Sequence, residues 1–232
     1  MSTATDDSSR FGGVSPVAPP VRGPVMFDQR WESVFFLHWP VDPSDVAPFM
    51  PPGVRPDEFD GATYVALVPF RMSGAGLGRG HPMPWWGTFV ECNVRLYSVD
   101  DEGNHGVVFR SLEASRLVTA LAARWGYRLP YAWASMSVRQ RGDHWWWRSE
   151  RRHPRGGGSL TLEARVGEQV EPTDLEVFLT ARWGLHSHAA GRTWWTPNQH
   201  PPWPLHTAAV LHLDEDLVHR AGFDARAESM LR

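Results

Sequence analysis

The chain has 232 residues, of which 42% are hydrophobic, with a formal net charge of −3 and one cysteine. That length suits one large domain or two small ones, and the slight acidity offers no basic field to attract nucleic acid. The single cysteine, Cys92, excludes an intramolecular disulfide and a cysteine-based zinc cluster. All 23 basic residues are arginine, so no lysine side chain is present to form an imine.

In chain order, residues 1–24 are polar and rich in Ser, Gly and Pro, which reads as a disordered tail. This segment has no basic start followed by an apolar stretch, and no run of about 18 apolar residues occurs anywhere. With the lone cysteine, the expectation is a cytoplasmic protein that does not engage a membrane. "ESVFFLHW" (Glu32 to Trp39) reads as a strand. Asp42 and Pro43 then mark the cap and first turn of a short helix. "ATYVALVPFRM" (Ala62 to Met72) is a second strand, with Pro69 suggesting an edge or bulge.

"SGAGLGRGHPMP" is a Gly-rich loop that could close over a pocket. Arg79 stands where a dinucleotide fingerprint has its last Gly, so no cofactor is expected there. "FVECNVRLYSV" (Phe89 to Val99) alternates strictly, and "DDEGNHG" turns the chain back into "VVFRSLEA" (Val107 to Ala114). Ser115 to Gly126 has helical spacing. "YAWASMSVRQ", "DHWWWRSER" and "SLTLEARVG" read as three strands, and "PTDLEVFLTARWG" as a helix capped by Thr173. A strand or hairpin at "LHSHAAGRTWWTP", a proline-locked loop at "NQHPPWPLH" and a late strand at "AAVLHLDED" complete the pattern. Strands outnumber helices and most alternate. A mainly β, α+β fold is expected, with an antiparallel β-barrel or sandwich and flanking helices. Residues 25–225 read as one domain and 226–232 as a tail.

The chemistry-bearing candidates lie in the third strand. Val90, Cys92, Val94 and Leu96 form one face; Phe89, Glu91, Asn93, Arg95 and Tyr97 form the other. That polar row is either a wet outer surface or the lining of a cavity. Arg71 and Arg110, on flanking strands, could address the same ligand, and Glu113 ends the next strand. Among the other polar clusters, His186 and His188 share a strand face, a spacing that metals use, but satisfied polar histidines are the plainer reading and no metal is assigned. Arg148, Arg151, Arg152 and Arg155 read as a solvated hairpin tip. With 13 Trp, 11 Phe and 4 Tyr, most aromatic rings belong to a core and some could line a pocket.

The ordered stretches "FFLHWPVDPSDVAPFMPPGV", "FDGATYVALVPFRM", "FVECNVRLY", "GVVFRSLEASRLVTALAARWGYRLPY", "DLEVFLTARWGL" and "HPPWPL" resemble the YqjF-like, or DUF2071, family of uncharacterised bacterial proteins over about residues 27 to 215. That family distantly resembles acetoacetate decarboxylase. The resemblance implies a mostly antiparallel barrel with an internal pocket and a homo-oligomer, and it matches the decarboxylase's catalytic glutamate to Glu91 in "FVEC". The imine-forming lysine does not carry over, because its region here, "AARWGYRLPY", holds Arg124 and Arg128. Trp39 and Pro40 stand near the place of the family's arginine, and Pro69 near that of a second acid.

The leading reading is therefore a small-molecule enzyme of lyase, hydratase or isomerase type acting on a carbonyl or carboxylate compound. Glu91 would be general acid or base and Arg95 would hold an oxygen, with Asn93, Tyr97, Phe89, Arg71 and Arg110 binding substrate. The second reading is a non-catalytic binder or sensor with an aromatic-lined pocket. The third is a structural protein with a filled interior.

Overall fold

The computed structural model describes residues 7–20, 27–77, 87–116, 130–224 and 230. Twelve strands are named in it: β1 (Phe27–Glu32), β2 (Leu37–Val41), β3 (Val54–Pro56), β4 (Thr63–Leu77), β5 (Phe89–Asp100), β6 (His105–Ala114), β7 (Tyr131–Arg141), β8 (His144–His153), β9 (Ser159–Gln169), β10 (Gly184–Ala189), β11 (Arg192–Pro197) and β12 (His206–Glu215). The described helices are short: α1 (Pro43–Val46), α2 (Asp174–Thr180) and α3 (Leu217–Arg220).

The caps read from sequence are in place. Asp42 accepts from the Ser44 amide at 2.8 Å with Pro43 opening α1. Thr173 and Glu176 form a reciprocal capping box on α2. The first expected strand is split, because Ser33 adopts φ 52° between β1 and β2. β4 runs on to Leu77, through half of the segment read as a Gly-rich loop. The remainder of that loop (78–84) and most of the helix expected at Ser115–Gly126 lie outside the described residues.

The main sheet runs β1-β4-β5-β6-β7-β8-β9-β12, with β2 on β4, β3 on β5, and the β10–β11 hairpin beside β6. It is mixed, which corrects the expectation of an antiparallel sheet. β6 and β7 pair in parallel, with Leu112 opposite Tyr131, and Leu185 of β10 also pairs in parallel with Val107 of β6. A parallel neighbour needs a long connection, and 16 residues of chain separate Ala114 from Tyr131. Among the described residues, hydrogen bonding does not join β1 to β12, so the sheet is not a closed barrel. Its two halves meet instead through side chains, as where Phe35 packs edge-on against Trp145 and Trp147 at 5.9 and 6.1 Å.

Two cores result, one on each face of β4 and β5. The first joins Leu37, Trp39, Leu67, Val94 and Leu96 to Trp147, Leu160 and Leu162 of β8 and β9. The second joins Val68, Phe70, Phe89 and Tyr97 to Phe178 and Leu179 of α2. Residues 7–20, read from composition as part of a disordered tail, lie across this second core. Phe11 and Val14 are buried, Arg10 pairs with Asp174 at 3.1 Å, and the Trp183 indole donates to the Ser15 carbonyl at 2.8 Å. Two large apolar side chains within a short segment are enough to dock it.

The close approach of β10 to β6 depends on Gly106. A Cβ there would lie 2.5 Å from the Trp195 ring and 2.7 Å from the Gly184 carbonyl oxygen. Gly106→Ala is expected to cost about 1–3 kcal/mol, as overpacking does, measured by chemical denaturation.

Candidate functional site

The polar row of β5 faces the second core, beneath α2, and not bulk water. Register fixes its neighbours. Phe70 and Ala114 flank Glu91, Val68 and Leu112 flank Asn93, and Ala66 and Phe109 flank Arg95. Opposed residues on neighbouring strands point to the same side of the sheet, so these side chains form a floor. An open cleft lies over part of it, and Asn93 and Tyr97, both fully buried, are not among the residues that line it. Glu91, Arg95 and Phe89 line the cleft together with His38, Trp31 and Trp203.

Glu91 is 2% exposed. Its one recorded partner is the Tyr131 hydroxyl, which donates to Oε2 at 3.4 Å. Burial pushes its pKa up to about 8, with the Tyr131 hydrogen bond pulling the other way. The carboxyl is therefore mostly protonated at neutral pH. Tyr131 is in turn pushed well up, first by burial and then by the Glu91 charge.

Arg95 lies four residues along the same strand, about 13 Å away at the backbone. It is buried, with Nη2 donating to the Tyr97 hydroxyl and to the Leu179 carbonyl, both at 3.2 Å. Its guanidinium carbon stands 5.3 Å from the Phe36 ring centroid. Tyr97 is fully buried, and its hydroxyl lies 2.7 Å from His38 Nε2. Burial holds His38 well below its ordinary value, helped by the charges of Arg95 and Arg182, so His38 is neutral. Asn93, between the two ends of the row, is fully buried with neither amide atom hydrogen-bonded.

Two expected members are elsewhere. Phe70, not Arg71, sits opposite Glu91; Arg71 is opposite Val90 and exposed. β6 carries a bulge opposite the step from Val94 to Arg95, where pairing passes from Ser111 to Phe109. Arg110 is the extra residue. It packs 3.9 Å over the Phe49 ring and reaches the Ala221 carbonyl at 3.4 Å. Glu113 turns to the other side, fully buried and held by Arg151 and the Ser111 hydroxyl. Cys92 lies in the first core. His186 is buried between Ser98 Oγ (2.9 Å) and Asp100 Oδ2 (3.2 Å), whereas His188 is exposed. Among the described residues, no group of three or more His, Cys, Asp or Glu could hold a metal ion.

Several members of the site were not read from sequence. Phe36 and His38 had a signal, since "FFLHW" alternates and puts both on one face. Tyr131 opens a strand with nothing to mark its direction. Asp57 and Arg182, which pair under Tyr97, sit just after β3 and just after α2, where no periodicity applies. His200 and Trp203 come from the Pro-rich loop 198–205, which stacks His200 between Trp183 (4.6 Å) and Trp203 (4.9 Å).

The chain belongs to the DUF2071 family of uncharacterized conserved proteins, whose model it matches over residues 28–231. Among its relatives is the uncharacterized protein YqjF of Bacillus subtilis (strain 168), 28% identical over 182 residues, covering 78% of this chain and 75% of that protein. In fold the chain is similar to an acetoacetate decarboxylase-like enzyme from Sphingomonas wittichii RW1 (TM-score 0.50, 13% identity, 84% of this chain and 73% of that one). It is similar as well to the enduracididine biosynthesis enzyme MppR complexed with pyruvate (TM-score 0.51, 13% identity, 75% of this chain and 70% of that one).

Proposed function

We propose that this chain is a small-molecule enzyme that moves a proton next to a carbonyl group, with Glu91 as general acid and then base. One observation carries the reading: a carboxyl in an apolar cleft wall with its pKa raised to about 8, poised to give up a proton near neutral pH. Protonated Glu91 donates to a carbonyl oxygen or to the carbon that has just lost a substituent. The Tyr131 hydroxyl then hydrogen-bonds the carboxylate left behind. Arg95 holds the substrate's anionic group at the far end of the row. The reaction is of lyase, hydratase or isomerase type, and the absence of lysine rules out a lysine imine. That a pyruvate complex exists on this fold makes oxo acids the natural class to try first. Residues 25–225 acting as one domain, a homo-oligomeric state and a cytoplasmic location belong to the same proposal.

A second reading, a non-catalytic binder with an aromatic-lined pocket, is favoured by the ring wall of Trp31, Phe36 and Trp203. Proton–deuterium exchange separates the two. In D2O, wild-type protein should exchange or convert members of a panel of 2-oxo, 3-oxo and unsaturated acids, followed by proton NMR. Glu91→Gln should slow this about 10²–10⁴-fold while binding persists. If no compound reacts in a Glu91-dependent way, the binder reading replaces the enzyme.

A further inference from the structure

Among the described residues, Arg95 is a buried cation without a counter-charge. It is 6% exposed, its two recorded hydrogen bonds go to neutral oxygens, and its Nε has no partner. The nearby buried carboxylate, Asp57, is taken by Arg182 and by His105. Glu91, on the same strand, forms no ion pair with it and is kept neutral by its own burial. Of the segments outside the described residues, 21–26, 78–86 and 117–129 contain no Asp or Glu, and 1–6 and 225–229 contain one each, Asp6 and Glu228. Burying a guanidinium among neutral groups is unfavourable unless an anion joins it, and Arg95 lines the cleft into which that anion could enter.

The wall beside Arg95 is aromatic. Its guanidinium faces the Phe36 ring, Phe36 meets Trp203 edge-on at 5.8 Å, and Trp203 lies 6.2 Å from Trp31. Trp31 is itself stacked on Phe70 at 4.0 Å, next to Glu91 in the floor. Phe36, Trp31 and Trp203 are only half-buried and line the cleft, so each keeps ring surface for a ligand to cover. Pro201, Pro202 and Pro204 restrict the loop that presents Trp203. The wall thus runs from the cation at one end of the row to the acid at the other.

We infer that the ligand of this cleft is an aryl-substituted carboxylic acid, its carboxylate against Arg95 and its flat unsaturated body along Phe36, Trp203 and Trp31. The inference rests on the cleft being the functional site, and not on turnover.

Calorimetric titration of the full chain with cinnamate, cinnamamide and acetate tests this. Cinnamate should bind at least about tenfold tighter than the uncharged amide, as expected for a charge-assisted contact, and also tighter than acetate. Arg95→Met should bring the cinnamate-to-cinnamamide ratio close to one. Should that variant fail to fold, Trp203→Ala keeps the test open, since it should weaken cinnamate about tenfold and leave acetate unchanged. Equal binding of cinnamate and cinnamamide, or of cinnamate and acetate, overturns the inference. Glu91→Gln separates it from the enzyme reading. An Arg95-dependent preference for cinnamate in Glu91→Gln and wild type, without Glu91-dependent exchange on any acid, keeps the ligand class and removes the enzyme. Glu91-dependent exchange on short oxo acids with no preference for cinnamate does the reverse.

Discussion

Replacing Glu91 by Gln is expected to remove a loss of stability that wild type undergoes as pH rises from 5 to 8.5, and to slow the proposed reaction about 10²–10⁴-fold. Burial raises the Glu91 pKa to about 8 in the native state. In the unfolded chain a glutamate has an ordinary pKa near ~4.3. Between those values the native protein holds a proton that the unfolded chain has released, so stability falls as pH rises through this window. The contribution is complete below about pH 4, is fully lost above about pH 8, and amounts to a loss of about 4 kcal/mol by pH 7 at ~1.4 kcal/mol per pKa unit.

Other groups tilt the same curve. His38 and His186 are held low by burial and favour the folded state as pH rises to their ordinary range. The difference between wild type and Glu91→Gln cancels them. Urea midpoints of both proteins at pH 5, 7 and 8.5 should therefore diverge, with the variant gaining on wild type as pH rises. Turnover should show the matching sign: an acid that must be protonated gives a rate constant that falls above about pH 8. Parallel midpoint curves would mean that Glu91 is ionised in the native state, and its role as an acid would go with that.

The strand that carries this chemistry was legible because it alternates without interruption, and alternation fixes which residues share a face. It could not say whether the polar face was wet. That depends on α2 and residues 7–20 lying over the sheet, and nothing in β5 encodes a cover supplied from so far along the chain. The aromatic flanks, Phe89 and Tyr97, were the usable hint, and both are buried in the second core. Partner residues were less legible because pairing register is invisible in one strand's sequence. A shift of one residue puts Phe70 where Arg71 was expected, and a single bulge turns Arg110 toward Ala221. The parallel step from β6 to β7 was hidden for a related reason: β7 alternates as an antiparallel strand would. The family resemblance reached the fold's relatives because it rests on long ordered stretches. It says little about Arg95, His38 or Trp203, whose arrangement comes from three elements far apart in sequence.

Asp57→Ala is expected to be among the most destabilising single substitutions in the chain, costing about 3–5 kcal/mol, because it strands a buried charge. Asp57 is 2% exposed and accepts hydrogen bonds from Arg182 and from His105 Nδ1, the latter at 2.8 Å. Burial works to raise its pKa, but the Arg182 charge and the His105 hydrogen bond outweigh that and hold it below its ordinary value. Its stabilisation is thus present above about pH 4 and is lost as pH falls through the lower native value. Arg182 cannot move to water. Its guanidinium lies 4.1 Å from the Phe178 ring and 4.7 Å from the Tyr97 ring, and Nε is committed to the Phe178 carbonyl at 2.7 Å. Without Asp57, Arg182 and Arg95 would be two guanidinium groups at 4.7 and 5.5 Å from the Tyr97 ring with no carboxylate to share. Removing the charge as well, in Asp57→Ala with Arg182→Met, should recover most of the loss, and guanidinium chloride midpoints of the single and double variants measure the difference. A cost below about 1 kcal/mol for Asp57→Ala would mean that the pair is solvated, as surface ion pairs are. Arg95 would then stand in a wetter, better screened place, with less need for an anion. The stability of this pair and the charge of the cleft's ligand are therefore linked: Asp57 neutralises the deeper arginine, so the charge left for a ligand to meet is that of Arg95.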